Sequence, residues 1–239
     1  STPFDFESVD LLAALDVPLF KVASCDLTNR PLISRIAKHH RPVILSAGMG
    51  TLGELLSAIE WCYESGNRDV IVLHCIAHYP TDPKDVNLRT ITFLGRTLDH
   101  PVGLSDHTLG IDIPLASIAL GAKVIEKHFT LDKNLAGPDH QLSTTPTELS
   151  ELVQRAYVIS TALGEEHKDP PESDDDRRAI RRSLAARSDI PSGTVLRESD
   201  ISIKRPGDGL PPMFYEYILG RKTKIDLKCD DRFRLVDLD

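Results

Sequence analysis

The sequence predicts an α/β fold, part of a (β/α) barrel followed by a small β unit, and three observations carry that reading. From residue 17 to about 164 one pattern recurs: a short aliphatic strand, a polar loop, then an amphipathic helix. Such alternation means parallel strands covered by helices. Polar residues also recur at the strand tips, as Ser24 and Asp26, Ser46, His74 and Tyr79, Ser105 and His107, and His128. After Gly164 the composition turns to a charged, proline-bearing stretch and then to short strand candidates between turn sequences. An open doubly wound sheet satisfies the alternation too, but it gathers ligands at one crevice. Polar tips on five strands in a row favour a barrel, whose carboxyl ends converge on one mouth.

In chain order, aliphatic runs place strands at 19–23, 43–45, 70–74, 102–104 and 123–126. Apolar periodicity places helices at 7–14, 31–38, 52–64, 87–98, 111–120 and 146–163, the fifth ending on Gly121. A barrel closes with eight strands, and Thr2-Pro-Phe-Asp5 reads as a loop leaving an earlier strand. The sequence is therefore expected to begin in mid-unit and to carry about the last five strands. Residues 1–164 form the expected barrel part, and 165–181 a solvated linker. Residues 182–239 form a β unit with strands near 183–186, 195–196, 201–204 and 233–236, punctuated by Pro191-Ser-Gly193 and Arg205-Pro-Gly207.

A chain of 239 residues holds one large domain, or one medium and one small. Its net charge of -8 argues against a nucleic-acid surface. No apolar run reaches spanning length and no basic amphipathic helix stands out, so no membrane role is expected. Cys25, Cys62, Cys75 and Cys229 are scattered without a Cys-x-x-Cys pair, which argues against a disulfide framework and suits a reducing cytoplasm. The chain opens without the basic region and apolar core of a signal peptide.

The chemistry concentrates at the strand tips. His107 and His128 each follow a short apolar run, with an Ala/Leu-rich helix between them. Adjacent parallel strands lie about 4.8 Å apart, so two imidazoles at neighbouring carboxyl ends are placed to share one cation. A histidine at a strand end also serves as a hydrogen-bonded structural residue. Lys21, Ser24, Ser46 and Ser105, with Gly48 allowing close backbone approach, equip the mouth for a phosphate or carboxylate. Serines after strands equally cap the next helix. Gly137-Pro-Asp139 is a turn sequence that places a carboxylate near the same mouth, and Tyr79 either packs on the rim or orients a substrate. Arg177-Arg-Ala-Ile-Arg-Arg182 reads as a solvated helix or linker face.

Taken together these residues resemble the sialic acid synthases, which condense phosphoenolpyruvate with an N-acetylated sugar aldehyde to a nonulosonic acid. The resemblance runs from end to end. It is carried by Ser1-Thr-Pro-Phe-Asp5, Phe20-Lys-Val-Ala-Ser24, Ile44-Leu-Ser-Ala-Gly-Met49, Leu73-His-Cys75 with Tyr79-Pro-Thr81, and Asp85-Val-Asn-Leu-Arg89. It continues in Gly103-Leu-Ser-Asp-His-Thr108, Ala119-Leu-Gly-Ala-Lys-Val-Ile-Glu-Lys-His-Phe-Thr130, Gly137-Pro-Asp139 and Lys204-Arg-Pro-Gly207.

The resemblance implies a (β/α)8 TIM barrel followed by an antifreeze-like β-clip (SAF) domain. It makes His107 and His128 ligands of a divalent cation, usually Mn²⁺, with Mg²⁺ or Co²⁺ as alternatives. Thr2, Lys21, Ser24, Ser46 and Ser105 match positions that hold phosphoenolpyruvate; Tyr79 and Asp139 match positions facing the amino sugar. Asp26 matches a carboxylate at the mouth. Arg205 matches an arginine that enters a partner's barrel, which implies a domain-swapped homodimer. Ala77 stands where some members carry asparagine, and Ala47 where threonine is common. The family's first strands supply a glutamate and a lysine with no match in this sequence, so the 239 residues alone are expected to be inactive. A sugar-binding or dimerisation module without catalysis is the alternative, and a Schiff-base aldolase using Lys21 a third.

Overall fold

The computed structural model describes residues 1–239, which divide into two compact units, Ser1–Glu165 and Glu166–Asp239. The first unit contains five strands, β1 (Phe20–Val22), β2 (Val43–Ser46), β3 (Val70–Cys75), β4 (Val102–Asp106) and β5 (Ile125–Lys127). They form one sheet in the order β1-β2-β3-β4-β5, every pairing parallel. Six helices accompany them: α1 (Phe6–Ala14), α2 (Arg30–Ala37), α3 (Leu52–Glu64), α4 (Arg89–Thr97), α5 (Asp112–Ala119) and α6 (Pro146–Leu163). Sequential strands that neighbour one another, each followed by a helix, are the topology of a (β/α) barrel rather than of a doubly wound sheet.

The sequence pattern accounts for how these elements pack. Every residue of β2 is buried, as expected of a parallel strand covered on both faces. Helix α3 buries Leu55, Ala58, Ile59 and Cys62, one stripe at helical spacing. Burial there pushes the Cys62 thiol up to about 11, and all four cysteines are unpaired. Thr51 and Glu54 form a capping box at the start of α3, and Thr145 and Glu148 repeat it at α6. On β4, Gly103 is obligatory: a Cβ there would lie 2.2 Å from the Val124 carbonyl oxygen and 2.7 Å from Leu73 Cδ2.

Element boundaries differ from the sequence reading where the backbone bends. Helix α4 starts at Arg89 rather than 87 because Asn87 sits in the left-handed region at φ +46°. Strand β5 is regular only over Ile125–Lys127 rather than 123–126, although Lys123 N already bonds Val102 O and Leu104 N bonds Val124 O. Beyond β5 the chain returns alongside it. Thr144 N bonds His128 O at 2.7 Å, Thr130 N bonds Thr144 O at 3.0 Å, and Leu142, Ser143 and Thr144 are buried. This pairing has no counterpart in the sequence reading.

The second unit contains β6 (Ser183–Ala186) antiparallel to β7 (Ile201–Lys204), with single bridges at Ala185–Arg232, Ile190–Leu227, Val195–Lys222 and Thr223–Leu238. Two of the strands expected there do not form. Val195 makes one bridge only, and Leu235–Asp237 closes into a 3-10 turn. The linker reading also needs correcting, because α7 (Asp174–Ile180) occupies part of it. Ser173 caps this helix through Asp176 N, three aspartates lie at its positive end, and Arg177 and Arg178 pair three residues back with Asp174 and Asp175. A short helix α8 (Tyr215–Ile218) buries Ile218, which joins Leu184, Ile190, Leu196, Ile201, Leu227 and Phe233 in a separate core.

Candidate functional site

A cavity of about 560 Å³ opens at the carboxyl ends of the first unit's strands. Eight of the expected site residues line it: Thr2, Lys21, Ser24, Ser46, Tyr79, Ser105, His107 and His128. A larger groove, about 880 Å³, runs along α4 and the segment before it. Its lining contains no histidine, cysteine or carboxylate, so the chemistry points to the smaller cavity.

The sheet's curvature brings these residues together. Lys21 lies on β1 and Glu126 on β5, four strand spacings apart, or about 19 Å in a flat sheet. Yet Lys21 Nζ is 3.3 Å from Glu126 Oε1, a contact that only a sheet rolled towards closure permits. The same oxygen accepts from Ser105 Oγ at 2.7 Å, so β1, β4 and β5 meet through one carboxylate. The first residues run beside β1, with Lys21 N donating to Ser1 O at 2.8 Å, which delivers Thr2 to the cavity wall.

The hydroxyls divide by partner. Ser24 Oγ accepts from Gly48 N at 3.1 Å, and Gly48 has no space for a Cβ, which would lie 2.8 Å from Ser24 Oγ and 2.9 Å from Cys75 Sγ. Ser46 is 1 % exposed and its Oγ has no hydrogen-bond partner. A buried hydroxyl left unpaired in a cavity that a lysine also lines fits an anion's oxygen, because burial without a partner costs free energy that a ligand acceptor would recover.

Three rings form the opposite wall. Tyr79 lies 4.1 Å from His107 and 5.5 Å from His128, and the two imidazoles are 5.2 Å apart between centroids. His107 places Nδ1 2.9 Å from Ile76 O, and His128 places Nδ1 3.6 Å from Asp139 Oδ2. Burial holds the His107 imidazole below its usual range, against the opposing pull of the Ile76 hydrogen bond. Burial likewise raises the Tyr79 phenol, with nearby Cys75, Asp139 and Glu126 adding to the effect.

The donor set suits a cation with open coordination. Each ring turns Nδ1 towards an oxygen, the arrangement by which outer partners orient ligating histidines. No third His, Cys, Asp or Glu completes a cluster with them. Two imidazoles are fewer protein ligands than the three of a typical catalytic zinc site, so water or substrate would have to fill the remaining positions of a bound cation.

Three expected residues lie outside the cavity lining. Asp26 is in the 3-10 turn Ser24–Asp26, next to the lining residue Cys25, and its Oδ1 accepts from Asn29 Nδ2 at 2.9 Å at the entry to α2. Asp139 is outside the lining but adjoins it, with Oδ2 3.6 Å from His128 Nδ1. Arg205 belongs to the second unit, where its carbonyl accepts from Arg232 Nη2 at 2.5 Å. The cavity also contains residues that the sequence reading gave no role, chiefly Glu126 and Lys127. Strand alternation marks the first, since Glu126 lies two residues before His128 and shares its face.

Residues 1–168 match the NeuB family, and residues 181–238 match the SAF domain. An uncharacterised protein of Methanocaldococcus jannaschii is 48% identical over 97% of this chain and 69% of its own length. The N,N'-diacetyllegionaminic acid synthase of Campylobacter jejuni is 42% identical over 98% of this chain and 71% of its own. Among solved structures, the N-acetylneuraminic acid synthetase of Leptospira borgpetersenii in complex with citrate superposes with a TM-score of 0.70 at 37% identity. That match covers 73% of this chain and 61% of the other. The chain thus spans about six to seven tenths of the length of these relatives.

Proposed function

The chain belongs to the NeuB family, and from that premise we infer that it condenses phosphoenolpyruvate with an N-acetylated amino-sugar aldehyde, N-acetylmannosamine or a relative, giving a nonulosonic acid and phosphate. The observation that supports this reading is the unpaired, buried Ser46 hydroxyl in a cavity that Lys21, His107 and His128 also line. Anion cradle and aldehyde-facing wall occur within one volume.

The methylene carbon of phosphoenolpyruvate bonds to the aldehyde carbon, whose oxygen takes up the proton that the adding water releases. Water adds at the neighbouring carbon, and cleavage of the phosphate ester leaves the 2-keto acid. A divalent cation, Mn²⁺ foremost, held by His107 and His128, supplies Lewis-acid polarisation of the aldehyde oxygen. Lys21 and the hydroxyls of Ser24 and Ser46, whose protons no protein group accepts, hold the phosphate and carboxylate oxygens as charge shifts among them. Glu126 keeps the Lys21 ammonium and the Ser105 hydroxyl aimed inward through the two contacts to Oε1. Tyr79 closes the wall over both imidazoles and excludes water there. Under the same reading Arg205 serves a partner subunit's cavity in a homodimer.

The test is phosphate release from phosphoenolpyruvate by the protein expressed from its complete reading frame, with product mass identifying the sugar. Release is expected only when both amino sugar and Mn²⁺ are present, and loss of at least about 100-fold in His107→Ala. Release without sugar, or full activity in His107→Ala, overturns the reading. For Ser46→Ala, KM for phosphoenolpyruvate is expected to rise by about tenfold, the worth of one hydrogen bond to a charged group.

A further inference from the structure

The ends of β4 and β5 carry a bond system that the proposed reaction does not use. Asp106 and Lys127 are partners across the β4–β5 ladder, and Lys127 Nζ lies 2.6 Å from Asp106 Oδ2 with the two side chains 5 % and 1 % exposed. The ammonium also donates to Thr108 O at 2.7 Å. Asp106 accepts in turn from Thr108 N at 3.0 Å and from Thr108 Oγ1 at 3.1 Å. These bonds enclose His107: the residues before and after it are tied to each other and to Lys127, which immediately precedes His128.

Such an arrangement is a poor way to stabilise a fold. Removing two charges from water offsets most of their attraction, and apolar residues of the same shape serve stability as well; the best-attested use of a buried ion pair is to fix register. The register at stake is that of the two strands that bear the histidines. Strand alternation puts Asp106 out of phase with Ser105 and His107, and although Lys127 borders the cavity its ammonium is taken by Asp106 and Thr108 O, so the pair fixes backbone position without competing for ligand.

We propose that Asp106 and Lys127 are positioning residues that lock the β4 and β5 ends together and so set the spacing of the His107 and His128 imidazoles for a divalent cation. This rests on the functional reading above, in which those two rings hold the cation. Neither residue touches the substrate or the cation in this role. They act through the backbone on either side of His107 and before His128. Their removal therefore weakens cation binding even where the fold survives.

The experiment measures binding of Mn²⁺ alone by the loss of the free-ion electron paramagnetic resonance signal. It compares the whole protein with His107→Ala, Lys127→Met and the double variant Asp106→Asn/Lys127→Met, each checked by circular dichroism. The wild type is expected to bind and His107→Ala to lose binding. Lys127→Met and the double variant are expected to weaken affinity by about 10- to 100-fold, the usual effect of losing an outer partner of a metal site. If Lys127→Met fails to fold because Asp106 is left unpaired, the double variant decides, since it buries no lone charge. Wild-type affinity in a folded variant overturns the positioning role while leaving the functional reading intact. Absent binding by the wild type, or unchanged binding by His107→Ala, overturns that reading and the inference with it.

Discussion

At the scale of single residues, the structure separates those chosen for shape from those chosen for charge. Gly103 is the first kind. Gly103→Ala drives a methyl into the Val124 carbonyl and Leu73, and a loss of about 1–3 kcal/mol is expected, read from the denaturant midpoint. His74 and His100 are the second. Burial holds both imidazoles below the usual histidine range near 6.5, against the opposing effect of Val86 O on His74 and of Asp99 on His100. The unfolded chain therefore takes up protons that the folded chain refuses. Their contribution is complete above about pH 6.5 and is lost as pH falls towards the folded values. The melting temperature should drop between pH 7.5 and 5.5, less steeply in His74→Gln. The histidine tips were legible in the sequence because each ends an aliphatic run. The Lys21–Glu126 contact was not, because it depends on how far five strands roll, a property no single strand encodes.

At the scale of elements, caps and strand tips were read more easily than pairings. Helices α3 and α6 announce themselves by Thr-x-x-Glu before an apolar stripe, and both boxes close as their sequences suggest. Thr145→Ala should cost about 1 kcal/mol in thermal or chemical denaturation. Leu152→Ala, which empties the contact of α6 with Leu115 and Ile118, should cost about 2–5 kcal/mol. Helix α7 lies where the charges read as a solvated helix or linker face; what decides for helix is the order of those charges, acids first and arginines after. In the second unit Phe233 is deeply buried, yet its neighbours turn instead of extending. Hydrophobicity there reported burial correctly and secondary structure wrongly, since Phe233 N and O are taken by Leu184 and Leu210 individually and not by a ladder.

At the scale of the whole molecule, each unit has its own apolar core, and the segment 165–172 between them is exposed. Limited trypsin treatment is expected to cut at Lys168 ahead of other sites, leaving a C-terminal fragment that retains native circular dichroism; prior cleavage within β6 or β7 would contradict separate cores. The division was legible as a change of composition. The closing of the first unit was legible only as polar tips recurring on consecutive strands.

The return of the chain beside β5 has a bearing on solubility. A terminal strand of a sheet offers its free amides and carbonyls to any passing strand, a route to edge-to-edge aggregation. Past Lys127 this invitation is withdrawn, because Thr144 has already taken the carbonyl of His128 and received the amide of Thr130. The segment that pairs with the chain past β5 is also the one that carries Asp139 to His128, so one loop both satisfies the backbone there and sets a carboxylate beside that ring.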